Sequence, residues 1–216
     1  ISSTRKATSP PIREPLLQIL KEEKVLILGG DLVGKTSFTK KVFEDLHREG
    51  IIPVLVAGGE ITSTEPSDLA SLRDRAFRRA YGSERLEQFL QLAPEKRALI
   101  VDDAHRSPLT EADADSAIVR IADTFGYVIV VADESLPMAV LDSRRDDGDS
   151  ILGYQTYSIE PLGHLKRYQL IEKWCYLARR AGDDYAVLSR RAQQLDDLIA
   201  HAIGSNLLPT LPAMVL

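Results

Sequence analysis

The sequence predicts a three-layer α/β/α fold on a mostly parallel five-stranded sheet, followed by a small helical subdomain. Three observations carry that prediction. Aliphatic runs near residues 25–28, 51–57, 97–102, 127–132 and 154–159 alternate with amphipathic helical stretches, the pattern of crossover connections between parallel strands. The central runs are continuously apolar, as in strands covered on both faces. After Pro161 two helical stretches follow with no strand between them.

Residues 1–13 are polar, basic and proline-containing and read as a linker, so the α/β unit is placed at 14–160 and the helical subdomain at 161–216. A helix is predicted over 14–23 with Leu16, Leu17 and Leu20 on one side. The strand Val25–Leu28 ends in Gly29-Gly30 and leads to a helix over 35–48, where Phe38, Val42 and Leu46 recur every four residues and Gly50 stops the helix. A strand at 51–57 and a loop at 60–67 precede helices at 67–80, on Leu69, Leu72 and Ala76, and at 84–92, on Leu86, Phe89 and Leu90. The strand Arg97–Asp102 is followed by a helix capped by Thr110, with Glu111 and Asp113 in its first turn and Ile118, Ile121, Ala122 and Phe125 inward. Gly126 ends that helix before the strand Tyr127–Ala132, the charged run Asp142–Ser150 reads as a mobile loop, and 154–159 is the last strand. The closing helices are placed at 164–181 and at 184–203, the second behind an Asp184 cap.

With 216 residues, 44% of them hydrophobic and 27% charged, the chain is too ordered in composition for wholesale disorder and too short for a multidomain machine. No apolar run approaches the ~20 residues that a bilayer-crossing helix needs, so no membrane partner is expected. The 32 acidic against 27 basic residues give a net charge of −5, which disfavours nucleic acid as a partner. Cys175 is the sole cysteine, which excludes an internal disulfide and fits a reducing, cytoplasmic setting. The chain opens on Ile1 and stops inside the apolar run Ala213–Leu216, so it is expected to be a part of a longer protein.

The chemistry concentrates in Gly29-Gly30-Asp31-Leu32-Val33-Gly34-Lys35-Thr36, with Ser37 beside it. Glycines at both ends let backbone N–H groups converge on phosphate oxygens, the following helix adds its positive end, Lys35 reaches the β and γ phosphates, and Thr36 ligates magnesium. In a chain of this length such a pattern arises by accident on the order of once in a hundred. The second element is Leu99 to Asp103, an aliphatic strand presenting two carboxylates at its carboxyl end. Asp102 would hold magnesium, directly or through water, and Asp103 would orient or deprotonate an attacking water. Asp133 ends the fourth strand, where a polar residue either faces the terminal phosphate or starts an ordinary turn. Arg144 and Arg145 read as solvated or charge-stabilising, and Arg73, Arg75, Arg78, Arg79 and Arg85, interleaved with acids, read as a salt-bridged surface. The four histidines show no metal-ligand spacing, and His105 receives no catalytic role.

These residues resemble the STAND branch of P-loop NTPases, which includes the NACHT and NB-ARC modules. Leu99 to Asp103 is similar to the aliphatic-run-then-Asp-Asp form of that group, and Ile159-Glu160-Pro161-Leu162 running into Leu165–Leu177 is similar to its passage into a helical lid. Leu211-Pro212-Ala213 resembles the lid motif that contacts the nucleotide, and Ile12-Arg13-Glu14 resembles the motif that packs on the base. The resemblance therefore implies Arg13 and Pro212 against the adenine, ATP or ADP with Mg2+ as cofactors, and a slow ATPase acting as a switch. It further implies homo-oligomerisation on activation and a fused effector and sensor outside this chain, in a prokaryote in the setting of antiphage defence. The chain departs from the pattern at Thr210, at Ile12 and in lacking an arginine directly after the fourth strand. Two other readings stay open: a DNA-associated ATPase of the AAA+ type that uses the arginine cluster, and a scaffold that holds ADP with negligible hydrolysis. No guanine-reading Asn-Lys-x-Asp motif is present, which favours ATP.

Overall fold

The computed structural model describes residues 15–134, 154–159, 163–179 and 183–204. In order they form α1 (Pro15–Glu22), β1 (Lys24–Leu28), α2 (Lys35–Arg48), β2 (Ile52–Ala57), α3 (Pro66–Tyr81), α4 (Leu86–Leu90), β3 (Arg97–Asp102), α5 (Glu111–Ala122), β4 (Tyr127–Ala132), β5 (Gln155–Ser158), α6 (His164–Leu177) and α7 (Tyr185–Gly204). The protein divides into two compact units, one holding all five strands and the other α6 and α7. Among the described residues no helix is long and apolar enough to cross a membrane.

The five strands form one sheet in the order β2-β3-β4-β1-β5, and every neighbouring pair is parallel. Side chains alternate between two cores, as strand pleating requires. Val25, Ile27, Ile100, Ile129 and Val131 pack with Ile19 of α1 and Val42 and Leu46 of α2. Leu26, Val54, Val56, Val101 and Val130 pack on the other face with Leu72 and Phe77 of α3, Phe89 of α4 and Ile118 of α5. This burial on both faces explains why the central strands read as unbroken aliphatic runs. The result is the predicted three-layer α/β/α arrangement.

Local sequence sets the boundaries. Gly50 adopts φ +74°, and the Ile51 amide reaches back to the Leu46 carbonyl at 3.1 Å, which closes α2. The Thr110 hydroxyl caps α5 by accepting the Asp113 amide. One expected face is corrected. In α1 the inward stripe is Leu16, Ile19 and Leu20, spaced i, i+3, i+4, with Ile19 fully buried, whereas Leu17 is 63% exposed because it falls outside that stripe. The expected helix at 84–92 is shorter and begins as a 3-10 turn at Ser83–Arg85.

In the helical unit, α6 and α7 share a small core of Ile171, Cys175 and Ala192, flanked by Tyr168, Leu195 and Ile199. Asp184 caps α7 through the Val187 amide at 2.8 Å. Arg167 lies in this unit with only 1% of its surface exposed, and its Nε donates to Asp196 Oδ1 at 2.6 Å. Its Nη2 lies 3.0 Å from His164 Nδ1; because arginine only donates, that nitrogen accepts.

Candidate functional site

The segment Gly29–Gly34 joins the end of β1 to α2, which starts at Lys35. The Gly29 amide is anchored on the Ala132 carbonyl of β4 at 3.2 Å. Leu32 and Gly34 both adopt positive φ, +63° and +99°, and left-handed residues within a loop turn successive amides toward one concavity. Leucine has no glycine-like freedom there, so the loop carries on the order of 1–2 kcal/mol of backbone strain. Asp31, Leu32, Thr36 and Ser37 are exposed, while Val33 is buried.

Lys35 is buried, and its Nζ donates to the Gly29 and Gly30 carbonyls at 2.8 Å each. A third partner, Asp133 Oδ2, lies 3.5 Å away. One turn further along α2, the single hydroxyl proton of Thr39 is shared between the Thr36 carbonyl, 2.9 Å from Oγ1, and Asp102 Oδ2, 3.3 Å from it. The other oxygen, Asp102 Oδ1, is buried with no hydrogen-bond partner among the described residues. Burial, and then the neighbouring charge of Asp103, push the Asp102 carboxyl above its ordinary pKa, and hydrogen bonding from Thr39, the Asp103 backbone and Thr36 opposes that shift.

An orphaned, partly desolvated carboxylate oxygen beside the Thr36 hydroxyl suits a hard divalent cation. Magnesium takes one or two protein oxygens and completes its shell with water and phosphate. The described residues contain no group of three or more His, Cys, Asp or Glu that could hold a metal ion.

The sign of the Asp102 shift gives a prediction. Because the folded protein favours the neutral acid, its stabilising contribution is present at low pH and is lost as pH rises through the raised pKa, leaving a penalty at neutrality. Asp102→Asn is therefore expected to raise the melting temperature of the nucleotide-free protein, by about 2–4 °C per kcal/mol recovered, and to shrink the part of the nucleotide-induced gain that depends on magnesium. Thermal unfolding with and without Mg2+ checks both parts.

Asp103 has φ 52° and ψ 47°, left-handed geometry that swings the chain away from β3 into a 3-10 turn, Ala104–Arg106. Its carboxylate is partly exposed and 3.4 Å from Arg106 Nε. Gly58, directly after β2, lies against this corner: a Cβ there would overlap the Asp103 carbonyl oxygen and lie 2.7 Å from Ala104 Cα. Ser107 Oγ donates to the Ile61 carbonyl at 2.8 Å, a second tie between the same two loops. His105 Nδ1 accepts the Asp133 amide at 3.1 Å, which places the ring proton on Nε2 in the neutral form.

The fold thus brings Lys35, Thr36, Asp102 and Asp103 to the carboxyl ends of β1 and β3, where open α/β sheets bind ligands. Arg13, Pro212, Arg144 and Arg145 lie outside the described residues. Thr39, Gly58 and His105 received no role from the sequence. Thr39 was visible only as a hydroxyl one turn after Thr36, and Gly58 only as a glycine after a strand. A cavity of about 690 Å³ opens beside Asp102, lined by Phe43, Leu55, Ala57, Glu60, Ala76 and Arg79 among others, and the phosphate loop does not line it.

The arginine cluster is partly committed to ion pairs. Arg73 pairs with Asp74 at 2.8 Å, and Arg79 donates to Glu60 at 2.9 Å and to the Leu55 carbonyl at 3.2 Å. Hydrogen bonding from Arg79 is the largest influence holding the Glu60 carboxyl below its ordinary pKa, burial opposes it, and the Ala57 amide adds to the lowering. Glu60 therefore stabilises the turn after β2 at neutral pH and loses that contribution as pH falls through its depressed pKa.

No protein-family model matches the chain, and no curated protein matches it. Among solved structures it is similar to a variant of RuvB from Thermotoga maritima, at 14% identity and a TM-score of 0.42 over 88% of this chain and 62% of that one. It is also similar to domain III of the replication initiation protein DnaA from Thermotoga maritima, at 15% and 0.45 over 89% and 83%. A third is the ORC2 protein of Aeropyrum pernix with ADPNP and ADP, at 16% and 0.46 over 98% and 69%. The chain thus spans less than two thirds of the RuvB chain. The phosphate loop between β1 and α2, the acidic end of β3 and the parallel three-layer sheet together make this a P-loop NTPase fold with a helical subdomain.

Proposed function

We propose that the chain is the nucleotide-binding and slowly ATP-hydrolysing switch module of a STAND-type signalling protein. The observation that carries the nucleotide reading is Lys35, buried at the N-terminus of α2 with its Nζ gathered by two loop carbonyls, on the same helix whose Thr39 bonds the Asp102 carboxylate at the end of β3. In this reading the amides of 29–36, with Ser37, surround the phosphates, Lys35 neutralises their charge, and Thr36 and Asp102 hold magnesium. The ion supplies charge neutralisation at the phosphates. Asp103 orients the water that attacks the terminal phosphate and accepts its proton, a task that demands placement more than nucleophilic power. Its left-handed backbone and its rigid seat on Gly58 fit that demand.

The finer parts rest on the resemblance. They are a nucleotide-binding core at 14–160, a lid at 161–216, adenine contacts from Arg13 and Pro212, nucleotide-controlled self-association, and a fused effector and sensor outside this chain, in the cytoplasm of a prokaryote and in its antiphage defence. The DNA-associated alternative would use arginines of which Arg73 and Arg79 are already ion-paired, in a chain of net charge −5.

The test is nucleotide content and turnover of the purified protein. Wild type is expected to carry or bind adenine nucleotide with slow turnover. Lys35→Ala should weaken binding by about 10- to 100-fold, the range of one charge-assisted hydrogen bond. Asp103→Asn should keep binding within a few-fold and lower turnover by about 100-fold or more. Binding without Asp103-dependent turnover would convert the reading to an ADP-holding scaffold, and absence of binding would overturn it.

A further inference from the structure

One edge of the sheet is β2, and its outward backbone groups are largely taken. Pro53 has no N–H, and its carbonyl accepts the Tyr81 hydroxyl at 3.0 Å. The Leu55 carbonyl accepts Arg79 Nη2 at 3.2 Å, and the Ala57 amide donates to Glu60 Oε2 at 3.1 Å. A further strand therefore finds little to pair with on this edge.

The space beside the edge is nonetheless open. The cavity of about 690 Å³ between α2, β2 and α3 falls in the range of roughly 300–1,000 Å³ that small-molecule sites occupy. Its room comes from α3, where Ala76 and Ala80 fall on one face four residues apart and end at Cβ. Phe43 of α2 and Leu55 of β2 supply further apolar walls. The Phe43 ring is stacked with Tyr81, 6.2 Å between centroids and 15° between planes, so the fold itself fixes its orientation.

The charges of the lining are unequal in what they have left to offer. Arg79 and Glu60 satisfy each other at 2.9 Å, Glu44 pairs with Arg48 at 3.7 Å, and Asp102 is bonded by Thr39. Lys40 lines the same cavity, is exposed, and has no hydrogen bond or ion pair among the described residues.

We propose that this cavity is a binding site for a small aromatic molecule that carries one anionic group, its ring on Phe43 and its anion at Lys40. A flat ring gains both from offset stacking and from the apolar walls. An anion finds an unpaired ammonium, whereas a cation finds the Glu44 and Glu60 carboxylates already paired. The phosphate loop takes no part in this site, so the proposal is independent of the nucleotide reading.

The experiment titrates the full chain with β-naphthoate and with its neutral counterpart β-naphthamide, and follows the backbone amides by NMR. Both probes are expected to shift Phe43, Leu55, Ala57, Ala76 and Ala80, with the carboxylate bound more tightly by about fivefold, the yield of one exposed ion pair. Lys40→Met should erase that preference and leave naphthamide binding intact. Ala80→Leu fills the cavity from an exposed position and should abolish binding of both probes, while amides away from the cavity keep the shifts of the unliganded wild type. Shifts confined to α6 and α7, where Tyr176, Leu177 and Tyr185 are exposed, would overturn the site, as would binding that survives Ala80→Leu or no shifts at millimolar probe. Equal affinity for the two probes, or a preference that persists in Lys40→Met, would overturn the anionic ligand class.

Discussion

Asp196→Ala is expected to strip hydrogen-exchange protection from α6 and α7. The reason is the guanidinium of Arg167, 1% exposed and bonded through Nε to Asp196 Oδ1 at 2.6 Å. Arginine stays charged at any pH the protein meets, so removing its partner leaves a buried cation with the His164 nitrogen as its remaining hydrogen-bond acceptor among the described residues. Breaking one side of such a pair costs about 3–5 kcal/mol. A helix pair whose core is Ile171, Cys175 and Ala192 has little margin against that loss. The double variant Arg167→Met with Asp196→Leu removes both charges and should recover most of the protection. Retained protection in Asp196→Ala alone would show that water reaches the guanidinium.

The second large effect is expected at Gly58. Gly58→Ala puts a methyl group into the Asp103 carbonyl and 2.7 Å from Ala104 Cα, and both obstacles are backbone. The corner must move, and Asp103, already left-handed at φ 52°, moves with it. Overpacking of this kind costs about 1–3 kcal/mol. Displacement of a water-orienting group by about 1 Å costs on the order of a hundredfold in turnover. Lys35 and its loop lie on other elements, so nucleotide affinity should stay within a few-fold. Steady-state turnover together with nucleotide titration separates the two effects, and normal turnover in Gly58→Ala would remove Asp103 from the reaction.

What the sequence disclosed follows from how local each signal is. Strands β3 and β4 were legible to the residue because sheets buried on both faces need unbroken aliphatic runs. The Thr110 and Asp184 caps and the Gly50 stop were legible because each acts within four residues. The phosphate loop was legible as a contiguous pattern. His105, Gly58 and Thr39 escaped because their partners are 28, 45 and 63 residues away, at Asp133, Asp103 and Asp102, and nothing near them in sequence announces the contact. Leu17 misled because a leucine-rich octamer offers more than one apolar stripe, and the choice of Ile19 is made by β1 and α2 rather than by the helix.

The strand order carries a consequence for biosynthesis. β1 emerges first of the five strands, yet its neighbours are β4 and β5, whose residues begin about a hundred positions later. At roughly 5–20 residues per second a ribosome needs on the order of five to twenty seconds to supply the first of them. β2 and β3 can pair meanwhile, but Val25, Leu26 and Ile27, buried on both faces in the finished sheet, wait with both edges open to strand addition. Any recombinant fragment that stops before Gln155 keeps one of those edges bare for good.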